Sequence, residues 1–239
     1  MTRQSRTAGT RAGHPRTYGQ YCAVARGLDV IGDRWTLLMV RELLLGPKRY
    51  KDLQAGLPGI GTNLLAARLR EMEEIGVVER RVLPPPAGSA VYQLTEAGEA
   101  LQPAMFAIGH WGARFLGAPR PNEVLVPSAY FVAIRGEFRA DLAAGVNLTF
   151  EVRIGERAFQ ARVRDGTCST AEGPATDPDV VLTMDVETLN ALLLEGLSPA
   201  DAVAAGRVVV RGRSDGLERF VELFAIRRPG MVKGPALPL

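Results

Sequence analysis

Apolar residues in the first half of the chain recur mainly at helical spacing, broken by short runs of turn-forming residues. The pattern predicts four helices, at Cys22 to Ile31, Asp33 to Leu43, Tyr50 to Ala55 and Thr62 to Ile75. The turn-forming run 56–59 ends the third helix shortly before the fourth begins. The centre of this half is therefore expected to be a helix, a tight turn and a second helix.

After this segment the apolar residues take the period of an extended chain. Strands are predicted at Val77 to Leu83 and Ser89 to Leu94, with a proline-rich tip at 84–88, and a further helix at Thr95 to Leu116. A helix-turn-helix followed by a hairpin is the order of a winged helix-turn-helix domain. The first half is thus predicted to be mostly α-helical.

The second half mixes both periods and predicts an α+β fold. Strands are expected at Asn147 to Ile154, Ala158 to Arg164, Val180 to Met184 and Arg207 to Arg211, and helices at Val186 to Glu195, Ser198 to Ala205 and Asp215 to Ala225. Turn-forming residues concentrate at 117–122. We therefore expect a disordered basic arm at 1–19, a winged helix-turn-helix domain at 20–117, a linker at 118–123, an α+β domain at 124–230 and a tail at 231–239.

Charge is divided unequally between the halves. Residues 1–119 hold 15 Lys and Arg against 10 Asp and Glu, a net +5, whereas residues 120–239 hold 14 against 16, a net −2. Proteins bind DNA largely by neutralising phosphates, so double-stranded DNA is the partner expected for the first half. The arm at 1–19, which has no acidic residue, is either a solvated tail or an additional DNA contact.

The helix predicted at Thr62 to Ile75 has two different faces. Leu65, Leu69, Met72 and Ile75 form an apolar stripe, and the opposite face is small and polar. Asn pairs with adenine and Arg with guanine through two hydrogen bonds each, and small residues let a helix lie deep in the major groove. The residues expected to contact DNA are Thr62, Asn63, Ala66, Ala67 and Arg70 on this helix, Lys48, Arg49 and Lys51 beside the preceding helix, and Arg80 and Arg81 on the hairpin.

Several segments of this half resemble the HxlR-type winged-helix regulators, which are relatives of the MarR group. They are Cys22 to Leu45, Arg49 to Leu53, Leu57 to Ile60, Leu65 to Leu69 and Tyr92 to Gly98. The resemblance implies a homodimer, paired through the first helix and the Thr95 to Leu116 helix, that binds a near-palindromic operator with its reading helices about 34 Å apart. Many members begin the reading helix with Ser-Pro, where this chain has Gly61-Thr62, so the operator sequence is not transferable.

The cysteine at position 22 has two interpretations. The resemblance implies a redox-responsive or electrophile-responsive thiol at Cys22, with Arg26 one turn later favouring the thiolate. A lone cysteine followed by three small apolar residues is also typical of a small core residue. For Cys168 the core interpretation is favoured, because only Arg164 is basic nearby.

In the second half, the segments 179–185, 189–196, 198–202 and 206–212 are similar to the sterol-carrier-protein type 2 domain. That similarity implies a five-stranded sheet with helices enclosing an apolar tunnel. The side chains expected to line it are Leu189, Leu192, Leu193, Leu197, Val203, Phe220, Leu223 and Phe224, each of which is equally suited to a plain core.

The sequence contains few features that would indicate a membrane protein, a metal site or an enzyme. No apolar run approaches the about 18 residues that span a bilayer, so a cytoplasmic protein is expected. The two Cys and two His are scattered, and the second half has no catalytic triad or phosphate loop, so no metal, cofactor or enzyme activity is expected.

We therefore expect a transcriptional repressor that responds to an apolar small molecule held in the second domain. One alternative is a thiol-based regulator that uses Cys22, and another is a lipid carrier or sequestering protein.

Overall fold

The computed structural model describes residues 17–84 and 88–226. Its first half is built in the expected order of four helices, a hairpin and further helices. The elements are α1 (Ala23–Ile31), α2 (Thr36–Leu43), α3 (Tyr50–Gly56), α4 (Thr62–Ile75), β1 (Val78–Val82), β2 (Ala90–Leu94), α5 (Glu96–Glu99) and α6 (Gln102–Gly112), followed by a 3₁₀ turn at Ala113–Phe115. Of the predicted arm, residues 1–16 lie outside the described residues, as do 85–87 of the hairpin tip and the tail at 231–239.

Two helices differ from the prediction, each for a specific reason. Asp33 does not cap α2; its carboxylate pairs with Arg68 on α4, and α2 begins at Thr36. The helix predicted at Thr95 to Leu116 is divided in two, because Pro103 falls in the first turn of α6. A proline is tolerated there since the first N–H groups of a helix have no partner within it.

Thr95 ties these helices to the end of α4. Its hydroxyl caps α5 by accepting from the backbone N–H of Gly98 and donates to the carbonyl of Gly76 at 2.6 Å. Gly76 ends α4 in the left-handed conformation, with φ of 81°, which glycine adopts without strain. The end of α4 is therefore joined to the start of α5 through one side chain.

The second half is an α+β unit. Its elements are α7 (Pro127–Gly136), β3 (Asn147–Ile154), β4 (Arg157–Arg164), β5 (Thr167–Glu172), β6 (Val180–Thr183), α8 (Val186–Asn190) with a π-helical turn at Ala191–Glu195, α9 (Pro199–Ala204), β7 (Val209–Gly212) and α10 (Gly216–Phe224). The five-stranded sheet has the order β5-β4-β3-β6-β7, and only β3 and β6 are parallel neighbours. The residue pattern does not predict the strand β5, nor does it predict that α7 is a helix.

One face of this sheet carries an aromatic core. Phe150 of β3 lies edge-on to Phe220 and Phe224 of α10, with ring centroids 5.5 and 5.8 Å apart. Phe131 of α7 stacks on Phe159 of β4 at 4.5 Å. Offset and edge-to-face rings add to the burial of apolar area, so α7 and α10 are held firmly on the sheet.

The proposed tunnel lining is wrong for most of its residues. Leu189, Leu192, Leu193, Phe220, Leu223 and Phe224 are fully buried members of the core, Leu197 is half-buried, and Val203 is 48% exposed on α9. Side chains packed to this density leave no room for a ligand among them. Their helical spacing signalled burial and not a cavity.

The two halves pack directly on each other. The carbonyl of Leu45, just after α2, accepts a hydrogen bond of 2.9 Å from the backbone N–H of Glu172 at the end of β5. Residues 116–126 connect α6 to α7 without helix or strand, and α7 packs on α2 and β5. Within the described residues, no helix has the length and apolar character needed to cross a membrane.

Candidate nucleic-acid interface

The face of α4 that the sequence proposed for DNA reading is open. Thr62, Asn63 and Arg70 are exposed, and Ala66 and Ala67 are half-buried, while Leu65, Leu69 and Met72 are buried on the other side. The side chains of Asn63 and Arg70 make no hydrogen bond or ion pair with the described residues. Ile75, predicted within the apolar stripe, is instead 51% exposed at the end of the helix. A polar, unpaired and narrow face is what a major-groove helix requires.

Contacts at its sides hold α4 in place. The hydroxyl of Tyr50 on α3 donates to the carbonyl of Thr62 at 2.6 Å, which joins α3 to the first residue of α4. Arg68 on α4 pairs with Asp33 and with Glu71, so its charge is already compensated. Arg68 is therefore not free to contact DNA, whereas Asn63 and Arg70 are exposed.

Of the three basic residues around the start of α3, two are open to solvent and one is not. Arg49 and Lys51 are exposed, as expected for phosphate contacts. Lys48 is only 4% exposed, and its ammonium pairs with Glu172 and lies 3.9 Å from Glu42. Its backbone also exchanges hydrogen bonds of 2.9 and 2.8 Å with Tyr92. The phosphate contact predicted for Lys48 is therefore wrong, because its ammonium group is buried and pairs with a carboxylate of the second half.

Both arginines of the hairpin are exposed to solvent. Arg80 and Arg81 are exposed on β1, although neighbouring strand residues point to opposite faces. Across the hairpin, Gln93 donates to Glu79 at 2.6 Å, and Arg81 approaches the same Gln93 at 3.5 Å. Residues 85–87, predicted to approach the minor groove, lie outside the described residues.

A buried ionic cluster connects this half to the second. Glu42 of α2 is fully buried, and its Oε1 accepts from Arg41 at 2.8 and 3.1 Å and from the hydroxyl of Ser128 at 2.7 Å. Burial by itself would raise the pKa of Glu172, but the hydrogen bonds and charges of Arg157 and Lys48 outweigh it and lower that pKa. We name Arg41, Glu42, Lys48, Ser128 and Glu172 the inter-domain ionic cluster.

Large apolar side chains are exposed on α1 and on one face of α6. They include Val24 and Leu28 on α1, and Ile108, Trp111 and Phe115 on or just after α6. Trp111 is 60% exposed and its ring lies 4.9 Å from that of Phe115. Exposed apolar side chains of this size are typical of an interface between proteins.

The two cysteines lie in different environments. Cys22 is exposed at the start of α1, so its interpretation as a small core residue is wrong for the single chain. Burial raises the pKa of the Cys168 thiol to about 12, despite the opposing charge of Arg135. Cys168 is therefore a thiol at neutral pH, as the sequence favoured.

A pocket that the sequence did not predict lies between α6, the segment 116–126 and α7. Its volume is about 530 Å³, and it is lined mainly by small and apolar side chains. Asn190 of α8 and Leu194 of the following π-helical turn also contribute to its wall, and none of the residues proposed for the tunnel does. Its lining comes from separate segments of the chain, which single-segment patterns do not reveal.

Comparison with known proteins divides the chain in the same way. Residues 30–119 match the HxlR-like helix-turn-helix family model, and residues 132–230 match the alkyl sulfatase C-terminal model. The chain is 40% identical over 87 residues to the HTH-type transcriptional regulator YodB of Bacillus subtilis, covering 36% of this chain and 78% of YodB. It is 35% identical over 91 residues to the uncharacterised regulator YvaP of the same organism, covering 38% of this chain and 84% of YvaP.

A solved structure also matches about half of the chain. A structure of the sec-alkyl sulfatase PisA1 is 19% identical, with a TM-score of 0.40, and the match covers 48% of this chain but only 17% of PisA1. A similarity to a sterol-carrier domain is not shown, because the family model that matches the second half is that of the alkyl sulfatase C-terminal domain.

The open face of α4, the hairpin beside it and the extent of the match to YodB agree with one another. The chain belongs to the HxlR-like helix-turn-helix family of transcriptional regulators.

Proposed function

We propose that this protein is a repressor that binds a near-palindromic operator as a homodimer, with α4 in the major groove. The observation that carries the proposal is the pair Asn63 and Arg70, exposed on α4 and without partners among the described residues. Arg49, Lys51, Arg80 and Arg81 are exposed beside this face and would hold phosphates on either side.

The exposed apolar faces of α1 and α6 support the dimer. Burial of apolar area contributes roughly 25 cal/mol per Å², so side chains such as Trp111 and Ile108 favour a covered interface. In a two-fold dimer the same face meets itself, and the two copies of α4 would then reach successive major grooves.

Mobility shifts on the DNA upstream of the gene test this function. We expect affinity to fall steeply with salt, and Arg70→Ala or Asn63→Ala to cost about 1–3 kcal/mol on the operator. Arg211→Ala, which removes an exposed arginine of the second half, is the matched control and is expected to leave binding unchanged. Equal affinity of wild type and Arg70→Ala for the operator would contradict the proposal, and absence of salt-dependent binding would favour the lipid-carrier alternative.

An apolar small molecule is the effector that we propose, acting through unequal affinity for two conformations of the dimer. The packed core of the second half does not support a tunnel there, whereas the pocket between α6 and α7 offers space. A similarity of the second half to sterol-carrier domains stays a prediction and is not needed for this effector.

A second candidate function is a thiol-based regulator. The exposure of Cys22, beside the apolar face of α1, favours it. Oxidants or electrophiles should then release the wild-type protein from the operator but leave Cys22→Ser bound, with Cys168→Ser behaving as wild type. An equal response of Cys22→Ser and wild type would exclude this candidate.

A further inference from the structure

The pocket between α6 and α7 has a shape suited to a small molecule. Gly109 and Gly112 of α6 face it, and Ala129, Ala133 and Gly136 of α7 lie opposite. A β-carbon added at Gly109 or Gly112 would meet no atom of another element within 4 Å among the described residues, so there is open space next to both glycines. The volume of about 530 Å³ is within the range of roughly 300–1,000 Å³ typical of ligand pockets, which are often found between domains.

One charged side chain links this pocket to the helix-turn-helix. Arg41 lines the pocket, and its Nη2 donates to the carbonyl of Gly56 at 3.1 Å, at the end of α3 and the start of the turn before α4. Its Nε and Nη2 also bind Glu42. Its Nη1 makes no hydrogen bond to the described residues, which leaves a donor for an acceptor on a ligand.

The other charges of the lining restrict the ligand. Glu123 and Glu137 line the pocket, and Glu137 lies 3.0 Å from Nδ1 of His110. The charge of Arg41 is already compensated by the buried Glu42. Glu123 is itself paired with Arg120. Among the described residues the lining therefore presents no unpaired charge to a ligand, and a neutral ligand is favoured.

The pocket and the proposed dimer interface occupy different faces of α6. Met105, Gly109 and Gly112 of α6 line the pocket, whereas Ile108 and Trp111 of the same helix belong to the exposed apolar face. At about 3.6 residues per turn these sets point in different directions. A dimer paired through the second set leaves the first set available.

We propose that this pocket binds a neutral, mainly apolar small molecule with one hydrogen-bond acceptor, such as a ketone, which bonds to Arg41. Occupancy changes two neighbours of the pocket together: the turn before α4, through Arg41 and Gly56, and the position of α6. The regulatory part of this inference rests on the proposed operator binding, but the binding site itself does not.

Prodan, a neutral naphthalene ketone whose emission shifts to the blue in apolar surroundings, is a suitable probe. Full-length protein should bind it saturably, and Gly109→Phe should weaken binding by at least about tenfold by filling the space. Gly112→Leu is a second filling variant, in case the first alters the fold. Ala204→Phe, on the exposed end of α9, is the control and should bind as wild type does. Unchanged affinity in both filling variants, with their folding confirmed by circular dichroism, or no saturable binding by wild type, would overturn the assignment.

The chain itself offers a competing occupant. Ile226 lines the pocket and is followed by residues 227–239. Removal of these residues should change prodan affinity by less than about twofold. A gain of tenfold or more would assign the pocket to this segment and overturn the small-molecule proposal.

Operator binding separates failure of the site from failure of the function. Prodan should change the operator affinity of wild type, but not that of Gly109→Phe. If prodan binds in the pocket and no operator is bound at any salt concentration, the proposed function fails while the site stands. If the operator is bound and prodan binding ignores the filling variants, the site fails while the function stands. If prodan fills the pocket without changing operator affinity, the regulatory coupling is wrong.

Discussion

Lys48 and Lys51 are close in sequence, but their side chains lie in opposite environments. Lys51 is exposed on α3, whereas Lys48 is almost fully buried and pairs with a carboxylate 124 positions later in the chain. Both were expected to hold phosphates, because a local pattern registers the charge of a lysine and not its partner. The comparison teaches that net positive charge in the first half overstates the charge available to DNA.

The largest expected effect comes from Lys48→Met. The change leaves Glu42 and Glu172 buried or half-buried without one of their cations, although each keeps an arginine partner. We expect the free energy of unfolding to fall by about 3 kcal/mol, the lower end for breaking a buried pair. Denaturant unfolding followed by circular dichroism measures it.

Arg49→Met is the matched control, since Arg49 is the exposed neighbour, and it should stay within about 0.5 kcal/mol of wild type. If Lys48→Met matched this control in stability and also reduced the salt dependence of DNA binding, the assignment of Lys48 to the inter-domain ionic cluster would be wrong.

Lys51→Ala is expected to have a smaller effect, confined to DNA. Log affinity falls with log salt, and the loss of one phosphate contact makes that fall less steep by about 0.9, equally for operator and unrelated DNA. Fluorescence anisotropy over a range of salt concentrations measures the slope, and the unfolding free energy should be unchanged. A slope equal to that of wild type would remove Lys51 from the interface.

The smallest effect is the pH dependence contributed by Glu172. Its folded-state pKa is lowered, so the unfolded chain binds the proton more readily, and the stability it contributes is present above the unfolded value of about 4.3. That stability is lost as the pH falls through the lowered folded value. Wild type should therefore lose more unfolding free energy below about pH 4.3 than Glu172→Gln. Parallel curves for the two proteins over this range would contradict the assignment.

The sequence predicted α4 with its correct ends because the signals are local. Its apolar stripe has helical spacing, and Gly76 marks the left-handed end. The alternation in β3 and β4 was equally clear, since both strands bury one apolar face. The strand β5 was missed because Thr167 to Glu172 is mostly small and polar, and it is a strand through pairing with β4.

The inter-domain features depended on tertiary structure. Nothing near Lys48 in the sequence points to Glu172, and nothing near Gly109 points to Ala133 of α7. Small residues on two helices predict close packing as readily as a pocket, so only their relative placement decides between them. The predicted tunnel failed for the converse reason, because a buried apolar helix has the same pattern whether it surrounds a cavity or fills one.

The hydroxyl of Thr95 helps to set the distance between the two reading helices of a dimer. It joins the last turn of α4 to the first residues that lead into α6, without a flexible segment between them. In a dimer paired through α6, each reading helix is then held at a fixed distance from the symmetry axis. The protein would then bind only operators whose half-sites have the matching spacing. An operator with one base pair inserted at its centre would not be bound, although both half-sites are intact.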